Sequence, residues 1–161
     1  MSQSPSSARA RRAARLAAVQ ALYQMELAGS TPANAVLDVL AGRLPRHEGN
    51  HAGEGEEISE EADIDLFRQI VELAVERQDE VDTMIARRLA AGWRLERIDA
   101  VARAALRAGA LELWARHDIP VAVTIGEYVE IAKGFFSGPE PGFINATLDG
   151  IALSLRPAAL P

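Results

Sequence analysis

The chain has 161 residues, 48% of them apolar and 5% aromatic, with a formal net charge of −6. That length suits one domain with a sizeable core, and an apolar fraction rich in Ala and Leu favours packed helices over sheets. The lack of cysteine excludes a disulfide framework and thiolate chemistry and fits a reducing, cytoplasmic setting, no apolar run reaches membrane-spanning length, and the arginines near the start lack the apolar segment of a secretory signal.

In chain order, residues 1–7 are small and polar with Pro5 and read as a disordered tail. Residues 8–157 read as a single domain. The first helix is predicted over Ala8–Ala28, with Gly29 just beyond its end. Thr31 and Pro32 supply an N-cap and an N1 proline for a second helix carrying Val36, Leu37, Leu40 and Leu44, which Pro45 stops. Residues 46–59 hold Gly, Glu and His with one large apolar residue, Ile58, and read as a mobile acidic loop.

A third helix is predicted over about Glu60–Glu80, with Ile64, Phe67, Ile70, Val71, Leu73 and Ala74 facing inward. A fourth opens near Asp82 and stops at Gly92; a fifth spans about Asp99–Arg116, broken by the His117–Pro120 segment. Thr124 and Glu127 have the spacing of a capping box opening a sixth helix through Phe135. Ser137–Gly142 reads as a turn and Phe143 to about Leu155 as a seventh helix before Pro157. With no alternating pattern anywhere, the fold class is all-α, of about seven helices.

Three groups of residues could carry chemistry. Arg9, Arg11, Arg12 and Arg15 crowd seven positions at the start of the first helix of an acidic chain. Cations at a helix N-terminus oppose the macrodipole, which weakens the reading of a merely solvated face, so that face and a polyanion such as nucleic acid stand level as explanations. His47 and His51 have i, i+4 spacing but lie in the loop segment, which argues against a metal site. Around Lys133 to Asn145, a helix start could offer N–H groups to a phosphate and Phe143 could stack on a base, although Phe143 by itself reads more readily as a core residue and Asn145 as a polar first-turn residue. No nucleophile motif, P-loop or dinucleotide turn occurs, so no enzyme, cofactor or metal is expected. Glu127 and Glu130 need no more than a cap and a solvated helix face.

Two blocks together resemble the NusB family of bacterial transcription antitermination factors. One is Ala10–Gln24, an Arg-rich helix running into Val19-Gln-Ala-Leu-Tyr23; the other runs from Trp93 through Arg97-Ile98, Arg103, Leu106-Arg107, Leu111-Glu-Leu113 and Ile119-Pro120 to Ile125–Lys133 and Phe143–Asp149. The resemblance implies two orthogonally packed three-helix units and binding of boxA RNA in ribosomal RNA leader transcripts. It also implies joint action with the ribosomal protein NusE in an RNA polymerase antitermination complex with other Nus factors. By that resemblance Arg9, Arg11, Arg12, Arg15, Lys133, Phe143 and Asn145 are the RNA-binding candidates, and Arg103, Arg107, Glu112 and Glu127 the NusE-binding ones.

The chain departs from the family pattern at Gly126, where Asn is usual, at Ala102, where an acidic residue is common, and at Gly142, where Lys is frequent. Alternatives are a helical protein-interaction adaptor, which would not need the arginine cluster, and the NusB-like module of ribosomal RNA methyltransferases, whose catalytic domain and cysteine have no counterpart here. A helix-turn-helix DNA binder would carry its basic residues on a later recognition helix. Monomer and homodimer both stay open for the free protein; a dimer burying the first helix would mask the RNA site.

Overall fold

A computed structural model describes residues 7–41 and 63–155. Residues 1–6 of the expected tail, the 46–59 loop with His47 and His51, the Leu44–Pro45 stop and Pro157 lie outside the described residues. Seven α-helices and a short 3-10 turn make up the described chain: α1 Ala8–Ala28, α2 Pro32–Leu40, α3 Ile64–Glu76, α4 Gln78–Ala86, the turn Leu95–Arg97, α5 Ala100–Ala115, α6 Val121–Phe135 and α7 Glu140–Leu155. No strand occurs among the described residues, so the all-α expectation stands.

Most helix ends follow from local chemistry. Ser7 caps α1 by accepting from the Ala10 N–H at 2.9 Å, and Gly29 closes it in the left-handed region at φ 66, which costs glycine little. Thr31 caps α2, Asp63 caps α3, and Asp99 caps α5 by accepting from Val101 and Ala102.

Several boundaries differ from the sequence reading: α3 begins at Ile64 behind its Asp63 cap and not near Glu60, and α4 ends at Ala86, six residues before Gly92. The third helix ends at Glu76, and α4 starts at Gln78 instead of near Asp82. Arg77 makes this break at φ −108 and ψ 26 without any glycine or proline, and Asp79 and Glu80 then suit the N-terminal dipole of α4. The capping box does not form: α6 begins three residues earlier at Val121, with Pro120 preceding it, so Thr124 is buried within the helix. Finally, α7 begins at Glu140, because the second half of the expected turn already has helical backbone and Pro141 needs no N–H partner there.

The core joins two groups of helices. Helix α1 packs against α2 and α3, while α5, α6 and α7 pack on one another, with α4 against α5 and α7. The seam is α1 and α3 on α5, with α1 the larger part. It is made close by small residues, with Ala14, Ala17, Ala18 and Ala21 on one side and Ala104, Ala105 and Ala108 on the other, all buried. The Asp63 N–H also donates to the Ala10 carbonyl at 3.1 Å, tying the start of α3 to the first turn of α1.

Candidate nucleic-acid interface

The first helix places its four arginines by helical periodicity, and their fates diverge. Arg9 is exposed and Arg11 half-buried. Arg12 is largely exposed but donates from Nε to Glu127 Oε2 at 2.9 Å and from Nη2 to Oε1 at 3.3 Å, and Glu127 itself is mostly covered. The hydrogen bond to Glu127, and then its charge, raise the Arg12 pKa further above its ordinary value.

Arg15 points inward. It is 1% exposed, and its Nε and Nη2 donate to Glu112 Oε2 and Oε1 at 2.8 and 3.1 Å. Tyr128 Oη donates to the same Glu112 carboxylate at 2.5 Å. Burial works against the Arg15 charge, but the hydrogen bonds and charge of Glu112 outweigh it and the pKa is raised. Burial, then the charge of Glu112, hold the Tyr128 phenol neutral well beyond its usual range. Arg15 is therefore a structural residue and not an RNA contact, because reaching a phosphate would strand a buried carboxylate.

The expected partner-binding group divides in the same way. Arg103 is 7% exposed; it donates to Glu26 through two nitrogens and clamps the Leu95 and Ile98 carbonyls at 3.0 and 2.6 Å. Arg107 forks onto Asp82 at 2.8 and 3.0 Å and reaches Glu26 at 3.3 Å. Burial lowers the Arg107 pKa, but Asp82 and Glu26 more than reverse this. Glu112 is 1% exposed in the Arg15 network. Arg103 and Glu112 thus hold α1, α5 and α6 together and offer nothing to a docking protein, a correction of the sequence reading. Ala102 is buried as well, so its position does not face a partner. Only Arg107 and Glu127 keep partly exposed edges.

Lys133 is exposed near the end of α6 and pairs with Glu130 at 3.1 Å. Phe143 is partly buried against the core and meets the ring of Trp93 at a centroid distance of 6.3 Å and an interplanar angle of 31°. Asn145 is exposed on α7. The surviving candidates therefore form a rim running from the start of α1, past Glu127 and Glu130 on α6, to Lys133 and the start of α7. A Cβ at Gly126 or Gly142 would meet nothing within 4 Å, so the two side chains the family pattern would place there have room and are simply absent. Among the described residues no group of His, Cys, Asp and Glu could hold a metal, and no helix is long and apolar enough to cross a membrane.

Seven helices in two packed groups, joined by buried arginine–carboxylate pairs and carrying a basic helix start at the rim, define a helical module of a specific type. The chain belongs to the NusB family, whose model matches residues 12–153. It is 51% identical over 146 residues to the transcription antitermination protein NusB of Caulobacter vibrioides, covering 91% of this chain and 94% of that one. It is 49% identical over 156 residues to the NusB protein of Maricaulis maris, covering 97% and 94%. Among solved structures it is similar to T. maritima NusB at TM-score 0.71 and 29% identity, over 88% of this chain and 89% of that one. It also shares the fold of a chain in the crystal structure of antitermination factors NusB and NusE in complex with dsRNA, at TM-score 0.72 and 23% identity, over 92% and 99%.

Proposed function

We propose that this protein is a transcription antitermination factor that binds boxA-type RNA of ribosomal RNA leader transcripts together with NusE, within an RNA polymerase complex that includes other Nus factors. The observation that carries the reading is the basic start of α1, where Arg9, Arg11 and Arg12 lie at the rim of a chain about half identical to named antitermination proteins. Guanidiniums on a helix end can each take a phosphate oxygen pair, which supplies affinity and placement more than sequence reading. Lys133, Phe143 and Asn145 extend the same rim. NusE docks on the α4 to α6 side, where Arg107 and Glu127 remain partly exposed. The role is one of binding and assigns the protein no catalytic step.

The test is titration of a fluorescein-labelled single-stranded boxA RNA with the full chain, with and without NusE, over a range of salt. Binding should weaken steeply with salt and tighten when NusE is added. Replacing Arg9, Arg11 and Arg12 with Ala should lower the slope of log affinity against log salt by about 2, on the basis of roughly 0.7 per phosphate contact on a single strand. Unchanged affinity and slope in that variant would sink the assignment.

A further inference from the structure

We propose that the segment from Arg87 to Arg97, with Trp93 at its centre, is a second RNA-contacting surface, on which an unpaired base stacks against Trp93 while the flanking arginines take its phosphates. The inference rests on the RNA-binding reading above and extends it to residues outside the first helix. Arg87, Arg88, Arg94 and Arg97 are all exposed, with Glu96 the one carboxylate in the same stretch of a chain whose net charge is −6. Among the described residues none of these four arginines pairs with a carboxylate; Arg88 donates to the neutral hydroxyl of Ser154 instead. This contrasts with Arg12, Arg15, Arg103 and Arg107, each neutralised by a carboxylate of the fold.

Trp93 is the second observation. It is 59% exposed, although a ring of that size usually buries most of its surface. Its position is fixed from both sides. The Trp93 N–H closes a turn onto the Ala90 carbonyl at 3.0 Å, and Gly92 supplies the required positive φ of 87. Just beyond, Arg103 holds the Leu95 and Ile98 carbonyls; just before, Arg88 is held on α7 beside Gly150 and Ser154. The indole rests on Phe143 and leaves the rest of its surface to solvent. A rigid, half-supported indole flanked by unneutralised guanidiniums matches what single-stranded nucleic acid requires: a stacking platform and a cationic track for the backbone. Charge argues for RNA over a protein partner, because an apolar protein surface would leave four desolvated arginines without acceptors. Contact with Phe143 makes the patch continuous with the rim described above.

The experiment uses the full chain carrying Trp114→Phe, so that Trp93 is its sole tryptophan, together with the labelled boxA RNA. RNA at saturation should quench Trp93 emission. Trp93→Ala should weaken binding roughly five- to hundredfold, with Trp93→Phe retaining most of the affinity. Replacing Arg87, Arg94 and Arg97 with Gln should reduce the salt slope further than the first-helix variant does alone. If the parent binds RNA and the Arg9/Arg11/Arg12 variant weakens it, yet Trp93 emission and Trp93→Ala affinity are unchanged, this inference falls while the functional reading stands. If the parent does not bind RNA, both fall. If Trp93 responds only to added NusE, the patch is a protein contact and the inference is overturned. Circular dichroism of each variant separates lost folding from lost contact.

Discussion

The guanidinium of Arg15 and the carboxylate of Glu112, 97 residues apart, meet through two hydrogen bonds at the buried crossing of α1 and α5. Tyr128 of α6 completes the set by donating to the same carboxylate, so one acidic side chain links three helices. Charges with nowhere else to turn demand a fixed geometry, which ties the register of α1 to the rest of the core. Breaking such a pair by removing one member costs about 3–5 kcal/mol, because the survivor stays buried and unpaired. Arg15→Ala and Glu112→Ala should each lower stability by that amount in urea unfolding. The triple change Arg15→Met, Glu112→Leu and Tyr128→Phe should recover most of the loss, since it removes every member of the network together. A triple variant as unstable as the single ones would show that packing alone, and not stranded charge, sets the cost.

Glu127, next to Tyr128 on α6, acts at the exposed edge of the same side of α1 by drawing the Arg12 guanidinium to itself. Removing its charge releases Arg12 for a phosphate and removes a repulsive carboxylate from the rim. Glu127→Gln should therefore tighten boxA RNA binding by about threefold at low salt, with the gain shrinking at high salt. Weaker binding in the Gln variant would mean that the pair holds Arg12 in its RNA-binding orientation.

The buried phenol of Tyr128 sets a limit on alkaline stability. Its folded pKa lies well above the usual value near 10, so below about pH 10 folded and unfolded chains carry the same proton and the contribution is fully present. As pH rises through that range the unfolded phenol ionises first, the folded state binds more protons, and stability falls. Tyr23, the other tyrosine, is shifted in the same direction chiefly by burial and acts with the same sign. Urea midpoints measured from pH 8 to 11 should decline above about pH 10 in the parent. They should decline less steeply in Tyr128→Phe, whose absolute stability should be lower at neutral pH by about 1–3 kcal/mol.

Thr124 offers a change in the stabilising direction. Its hydroxyl is fully buried in the first turns of α6 and finds no hydrogen-bond partner. Thr124→Val keeps the shape and removes the unsatisfied group, so thermal denaturation should show a gain of about 1 kcal/mol. A loss of stability would show that the hydroxyl is satisfied in solution.

Where helices start and stop through local side-chain chemistry, the sequence was sufficient. The bounds of α1, the Thr31–Pro32 start of α2, the Gly29 stop and the start of α5 at Asp99 follow from residues within one turn of the boundary; the inward face of α3 was legible at Phe67, Ile70, Val71 and Ala74, whereas Ile64 is exposed and Leu66 is buried in its stead. The α3–α4 break at Arg77 carries no glycine or proline to mark it in the sequence, and the α4 that follows packs on α5, a partner distant in the chain. The Thr124–Glu127 capping box failed for a related reason. Thr124 is taken into the core and Glu127 is drawn to Arg12 across the molecule, so neither serves the local backbone.

The basic first helix, its all-helical setting and the motif blocks that mark the NusB family were determined by the sequence alone. Which arginine faces out was not. Arg11, Arg12 and Arg15 look alike in the chain, and the carboxylate that claims Arg15 lies 97 positions away on another helix. Trp93 was visible only as part of a motif. Its exposure, its seat on Phe143 and the unneutralised arginines beside it are properties of the assembled surface. Helical periodicity and capping are set by neighbours a few residues apart, whereas burial and charge neutralisation depend on partners that only tertiary packing brings within reach.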